Sequence, residues 1–251
     1  MNGITGTTAL VTGASRGIGA AIAAALGQAG ATVHVLAESD QIEGAAETIG
    51  ATPHRADVTD TSAVARTLEA VGPLDILINN AGLERLTPIE DTSAETTALF
   101  RRILDINVTG TAIVTGHALP YLRPGARIVN TASVWGRSTQ PMFGAYVASK
   151  HAVIGLTKTW ARELGPTGTR VNAVCPGWVQ TEAAIRSADA LAAGEGRSRA
   201  DILAEIAAAQ ALPDGVMQPG DVIGVYLFLA STLSANITGQ TLGIDRGELP
   251  W

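Results

Sequence analysis

The chain has 251 residues, 46% of them hydrophobic and 16% charged, with a formal net charge of −6. That is ample apolar material for one large α/β core, and an acidic surface is a poor match for nucleic acid or an anionic membrane. A single cysteine, Cys175, excludes an internal disulfide framework, and the four histidines are scattered, without the Cys/His spacing of a metal site.

Short β-branched runs alternate with Ala-rich helical stretches. Residues 8–12 predict a strand, 19–29 a helix, 31–37 a strand, 40–49 a helix, 52–56 a strand, 62–70 a helix and 74–79 a buried strand. A long helix is expected over 93–122, opened by Thr92-Ser93-Ala94-Glu95 as a capping box. Then come a strand at 127–131, a helix at 145–164, a strand at 170–175, a helix at 221–230 and a strand at 240–245. Such alternation predicts right-handed βαβ crossovers: a single-domain, doubly wound, seven-stranded parallel sheet of Rossmann-like type spanning 1–251. Residues 182–219 break the rhythm and are expected to form a lid over a site. No apolar run reaches the roughly 18–20 residues of a membrane span. There is no basic leader, so the expected location is cytoplasmic.

Thr12-Gly13-Ala14-Ser15-Arg16-Gly17-Ile18-Gly19 falls between the first strand and the first helix. Gly13 permits a tight turn, Gly17 lets backbone approach a pyrophosphate, and Gly19 allows close helix–strand packing. The helix N-terminus then offers free N–H groups to phosphate. Glu38 follows the second strand, where an acid either accepts hydrogen bonds from ribose hydroxyls and repels a 2′-phosphate or is simply a solvated loop carboxylate. Arg16 pulls the other way, so NAD(H) is the favoured cofactor while NADP(H) stays open.

Tyr146 and Lys150 are four apart in a helical stretch and share a face. At ~4 Å and an effective dielectric of ~20, a lysine charge is worth about 4 kcal/mol. That is enough to bring a tyrosine from ~10 towards ~7, where it serves as general acid or base. Ser133 ends the strand-like run Ile128-Val129-Asn130-Thr131-Ala132, at the sheet edge where open α/β sheets bind ligands. Asn79-Asn80-Ala81-Gly82 ends an earlier strand at the same edge. Asn107, a polar residue inside the long helix, reads either as a helix-bending structural amide or as part of a water relay.

These motifs, with Asp57-Val58, Pro176-Gly177-Trp178-Val179-Gln180-Thr181 and Ile237-Thr238-Gly239-Gln240, make the chain resemble the short-chain dehydrogenase/reductases over its whole length. The resemblance implies hydride transfer between NAD(P) and a ketone or secondary alcohol. Tyr146 would be the acid/base, and Lys150 would tune it and bind the nicotinamide ribose. Ser133 would hydrogen-bond the substrate oxygen, and Asn107 would order a relay water. Asp57 would meet the adenine amine and Val58 flank its ring. Asn79, Ala81 and Gly82 would line the cofactor cleft, and Pro176, Gly177, Val179 and Thr181 would hold the carboxamide end. A homotetramer is usual in the family, and the apolar Val153, Ile154, Leu156 and Trp160 on the Tyr146 helix agree with it.

Among subgroups the chain looks like the 3-oxoacyl reductases and 3-hydroxybutyrate dehydrogenases. The latter bind a carboxylate through a histidine and a lysine, where Trp135 and Phe143 stand here. With Met142 and Trp178 these predict an apolar, aromatic wall, with Leu83 and Glu84 at the entrance. The expected substrate is a medium-sized ketone or alcohol with an apolar or aromatic substituent. The alternatives are a 3-oxoacyl or 3-hydroxy acid, or a non-catalytic dinucleotide-binding module. Thr131-Ala132, in place of a more usual Ile-Ser, is expected to alter only packing.

Overall fold

The computed structural model describes residues 2–213 and 215–250. Seven strands form one parallel sheet: β1 (Thr8–Thr12), β2 (Thr32–Ala37), β3 (Thr52–Arg55), β4 (Leu74–Asn79), β5 (Leu122–Thr131), β6 (Arg170–Pro176) and β7 (Thr241–Ile244). Their order is β3-β2-β1-β4-β5-β6-β7. The central strands are apolar on both faces because helices cover both, whereas the edge strand β3, Thr52–Arg55, is largely exposed. Ala9, Val11, Ile76 and Ile78 face the side of α1 (Gly17–Gln28) and α9 (Ile223–Ala230), where Ile22, Leu26, Tyr226 and Leu229 meet them. The intervening Leu10 and Leu77 face α3 (Thr61–Val71), which brings Val64 and Leu68, and α5 (Thr111–Ala118), which brings Val114. α6 (Gly144–Leu164) adds Ala161 to the same side.

The strand order reverses beside β1, so the loops after β1 and β4 open a crevice at the C-terminal sheet edge. A chain of buried amides and hydroxyls staples that edge from below. Asn79 donates to Thr115 Oγ1 and Asn130 Oδ1, each at 2.9 Å, and Asn130 donates to Thr157 Oγ1 at 2.9 Å. This links α5, β4, β5 and α6 through groups that would be costly to bury alone.

Three expectations change. The long helix is α4 (Ala94–Leu104), a π-helical turn Asp105–Gly110, α5 and a 3-10 turn, and β5 begins at Leu122 rather than Arg127. The π turn lies where Gly110 presses on Val58, so closely that a Cβ on Gly110 would fall 2.6 Å from Val58 Cγ2. The cap of α4 is Ser93, which accepts from Thr96 N, one place later than the expected box. The stretch after β6 is helical: α7 (Glu182–Glu195), capped by Thr181, and α8 (Arg199–Ala208). Arg246 holds positive φ (55°), and its guanidinium hydrogen-bonds Gly215 O and Asp221. It ties the end of that segment to the chain after β7.

Candidate active site

Gly13 and Gly17 adopt φ of 65° and 59°, the left-handed region that glycine alone enters freely. A Cβ on Gly13 would lie 2.7 Å from Ala81 Cα, and one on Gly19 2.3 Å from Gly13 O. The first turn of α1 has no side-chain cap, so its amides are left for a ligand. Gly13, Ser15, Arg16, Gly17, Ile18 and Gly19 line a cleft of about 300 Å³, with Gly82, Tyr146, Lys150 and Thr181 across from them. An uncapped helix end over a glycine turn whose Cβ positions are filled fits a dinucleotide pyrophosphate.

Asn80, which sequence reasoning passed over in favour of its neighbours, binds the turn directly. Its amide donates to Thr12 O at 3.1 Å and Gly13 O at 3.2 Å. Thr12 Oγ1 accepts from Asn80 N and Ala81 N, each at 3.0 Å. Asn79 is a correction: its side chain turns into the sheet core, and Ala81 contributes by backing Gly13. The alternation along β4 carries the signal, since Asn79 and Asn80 must face opposite ways.

At the adenosine end a cation appears that the sequence did not single out. Arg102 of α4 pairs with Asp57 at 2.5 Å, Asp105 at 3.8 Å and Glu38 at 3.9 Å. Burial alone would raise the Asp57 carboxyl. The Thr59 amide, the Arg102 guanidinium and the Thr59 hydroxyl together hold it below its ordinary value. Val58 is buried against Gly110. Arg16 is held by Glu182 at 3.4 Å and donates to Gln41 Oε1 at 2.9 Å.

Around the expected catalytic residues the geometry is compact. Ser133 caps a 3-10 turn, accepts from Trp135 N at 3.2 Å and is hydrogen-bonded to the Tyr146 hydroxyl. Lys150 Nζ donates to Thr131 O at 2.8 Å and lies 5.4 Å from the Tyr146 ring centre. Burial brings the Lys150 ammonium down to about 8. The expected fall of Tyr146 towards neutrality is not seen in this arrangement. Burial and then the Glu84 carboxyl push its phenol up, against the pull of Ser133. The lysine charge is aimed at the Thr131 carbonyl and the ring rather than the hydroxyl.

Thr131 does more than pack. Its hydroxyl is 3.0 Å from Tyr226 Oη and donates to Asn80 Oδ1 at 3.4 Å, and its carbonyl fixes Lys150. Asn107 is buried in the π turn, where its amide brackets Leu83: Oδ1 accepts from Leu83 N at 2.7 Å, and Nδ2 donates to Leu83 O at 3.0 Å. Nδ2 also donates to Ser149 Oγ at 2.9 Å, so both amide hydrogens are occupied.

A second cavity, about 100 Å³, adjoins the cleft and is lined by Ser133, Trp135, Tyr146, Pro176, Gly177, Trp178, Val179 and Glu84. Phe143 and Met142 are corrections to the expected wall. Phe143 is fully buried behind Trp135, ring centres 4.9 Å apart, and Met142 is 40% exposed on a different surface groove. Phe143 is the N-cap of α6, follows Met142 at positive φ (68°) and forms a bridge with Thr87, a placement that spacing alone did not reveal. Arg85 and Arg186 line the cleft. Among the described residues no His/Cys/Asp/Glu group is arranged to hold a metal, and no helix is long and apolar enough to cross a membrane.

Residues 13–248 match the family model described as enoyl-(acyl carrier protein) reductase. The chain belongs to the short-chain dehydrogenase/reductase family. Its members are oxidoreductases that act on CH–OH and C=O groups with a nicotinamide dinucleotide. The chain is 40% identical to the oxidoreductase UcpA of Salmonella typhimurium, over 99% of this chain and 96% of that one. It is 32% identical to the D-beta-hydroxybutyrate dehydrogenase of Cupriavidus necator, over 97% and 98%. Among solved structures, a single-residue variant of the actinorhodin polyketide ketoreductase with NADPH superposes with a TM-score of 0.91 at 31% identity, covering both chains fully. As a short-chain dehydrogenase/reductase, the chain places its cleft at the sheet edge where the strand order reverses.

Proposed function

We propose that this enzyme interconverts a medium-sized ketone and its secondary alcohol, with Tyr146 as the acid/base. The observation that carries the reading is the convergence of Ser133 and Tyr146 on the wall of the small cavity, with Lys150 behind them in the adjoining cleft. A dinucleotide bound there supplies or accepts the hydride. Its phosphates would meet Gly13, Ser15, Arg16, Gly17, Ile18 and Gly19. Its adenosine would lie near Glu38, Asp57 and Val58, and its nicotinamide end near Gly82, Lys150, Pro176, Gly177, Val179 and Thr181. A phenol held above its ordinary value stays protonated near neutral pH, so Tyr146 is ready to give its proton to a carbonyl oxygen held by Ser133. Asn107 holds Leu83 and Ser149 beside them and, in this reading, orders the relay water.

NAD(H) is the preferred cofactor in this reading. Three carboxylates, Glu38, Asp57 and Asp105, surround Arg102, and Arg16 is engaged by Glu182, so a 2′-phosphate finds little free positive charge. The substrate carries an apolar or aromatic substituent, matched to Trp135 and Trp178. Arg85 and Arg186 stand in the cleft rather than the substrate cavity, which disfavours a small carboxylate such as that named for the Cupriavidus relative. At about 100 Å³ the cavity is narrower than ligand pockets of roughly 300–1,000 Å³. Residues 182–219 therefore act as a lid that yields to the substrate. A cytoplasmic homotetramer completes the reading.

The test is reduction of a ketone panel with NADH and with NADPH, followed by absorbance of the reduced cofactor. NADH and aryl or longer alkyl ketones are expected to give the higher kcat/KM, above acetoacetate. Tyr146→Phe is expected to lower kcat by at least about 10²–10³-fold with cofactor affinity little changed. Near-full activity in that variant removes Tyr146 from the role, and a strong NADPH preference overturns the cofactor reading.

A further inference from the structure

The substrate cavity is aromatic but not uniformly apolar. Three buried polar atoms without a hydrogen-bond partner belong to residues on its wall: Glu84 Oε1, Trp178 Nε1 and Glu248 Oε2. Native interiors satisfy nearly all such groups, so an unsatisfied set around one cavity points to what the cavity receives. Glu84 is the best placed. It follows β4 and, with Tyr146 and Thr131, lines both the cavity and the cofactor cleft. Its carboxyl is bonded to Ser187 of α7 and feels Arg85, Lys150 and Arg186, while burial raises it above the ordinary carboxylate value. Its charge is felt in turn at the Tyr146 phenol. One oxygen of an acceptor is thus left over beside the group that handles the reacting oxygen.

Resting on the reading of Tyr146 as acid/base, we propose that Glu84 accepts a hydrogen bond from a hydroxyl on the carbon next to the reacting one, making neutral α-hydroxy ketones and vicinal diols the preferred substrates. The surroundings select the charge state. Glu84 already feels Lys150, Arg85 and Arg186 from the adjoining cleft, so an ammonium group beside it would add to that positive field, and a carboxylate or phosphate would meet Glu84 itself. A neutral hydroxyl meets neither objection. The Trp135 and Trp178 rings, centres 6.0 Å apart and edge-to-face, offer apolar surface to the rest of the molecule. A site built to hydrogen-bond a substrate hydroxyl penalises the analogue lacking it more than a shape mismatch would.

The experiment compares kcat/KM for 2-hydroxyacetophenone and 2-fluoroacetophenone in the wild-type enzyme with its cofactor. Fluorine activates the carbonyl and fits the same space but donates no hydrogen bond. The hydroxy ketone is expected to be favoured at least about tenfold. Glu84→Leu is expected to bring the ratio to about one, and Glu84→Gln, whose amide oxygen still accepts, to keep most of it. Equal use of the two ketones by the wild type, or a ratio that survives Glu84→Leu, overturns the proposal. The wild-type ratio decides even if the leucine variant does not fold. Quenching of tryptophan fluorescence gives a readout independent of turnover: 1-phenyl-1,2-ethanediol should bind more tightly than 1-phenylethanol, and equal affinities count against Glu84. Tighter diol binding without turnover of any ketone by either cofactor would instead overturn the hydride-transfer reading and leave the Glu84 contact standing.

Discussion

At the scale of single residues the site depends on small side chains and on which way a strand turns its neighbours. Gly19 is the clearest case. A methyl there would lie 2.3 Å from Gly13 O and 2.5 Å from Asn80 Nδ2, and the first of these is backbone that cannot swing away. Gly19→Ala is expected to destabilise the fold by ~1–3 kcal/mol. That lowers Tm by roughly 2–4 °C per kcal/mol in a chain of this size, and cofactor affinity should fall with it. Gly44 in α2 (Gln41–Ile49) is the control, because nothing lies within 4 Å of a Cβ there. Gly44→Ala should be neutral or stabilising by about 0.4–1 kcal/mol. Thermal unfolding with a cofactor titration distinguishes the two; equal behaviour of both variants would mean that the glycine turn is not sterically closed.

At the scale of elements, the π turn between α4 and α5 brings Asn107 to the loop after β4, so two distant segments fix the floor of the site. The sheet edge carries a pH-sensitive pair. His34 on β2 and His54 on β3 are joined Nδ1 to Nε2 at 3.0 Å with stacked rings. Burial lowers both below the usual histidine value of 6.5, and for His54 the charge of His34 adds to the fall. A depressed folded-state value means that the folded form binds fewer protons than the unfolded one. The pair's stabilisation is therefore complete above pH 6.5 and lost as pH falls through the folded-state values. Wild type should lose more Tm than His54→Gln between about pH 7.5 and 5.5, by a few degrees. Parallel declines would show that the pair does not couple to folding. At the opposite end of the sheet, the α7–α8 segment packs Ala188, Leu191 and Ile202 on Phe143, with Trp135 and Trp178 at the margin of that cluster. In the proposed reading this segment is the lid, and its packing on Phe143 joins it to part of the cavity wall.

At the scale of the molecule, the two halves of the sheet diverge beside β1, and cleft and cavity meet at that point. The proposed assembly meets a more modest apolar surface than spacing suggested. Val153 and Ile154 are spent inside the subunit, while Leu156 and Trp160 stay half-buried on α6 and Phe100 of α4 is 38% exposed. These residues belong to the face on which α4 and α6 would pair with a second copy. Light scattering at micromolar concentration is expected to give the mass of a tetramer, and a monomer would refute the arrangement. A dimer would point to one such face alone.

Periodicity and punctuation in the sequence determined the order of strands and helices, because parallel strands covered on both faces must be near-continuous apolar runs and crossovers leave little freedom of hand. Gly13, Gly17 and Gly19, the Tyr146–Lys150 spacing and Ser133 at a strand end were legible for the same reason: each is a local requirement of backbone or helix geometry. Tertiary structure decided what depends on partners far along the chain. It turned Asn79 into the core and Asn80 onto the glycine turn, and it put Phe143 behind Trp135 instead of beside the substrate. It also brought Arg102 from α4 to Asp57, and set the Tyr146 phenol by burial and Glu84 rather than by the lysine four residues away. Burial and long-range electrostatics are properties of the assembled surroundings, and no window of sequence contains them.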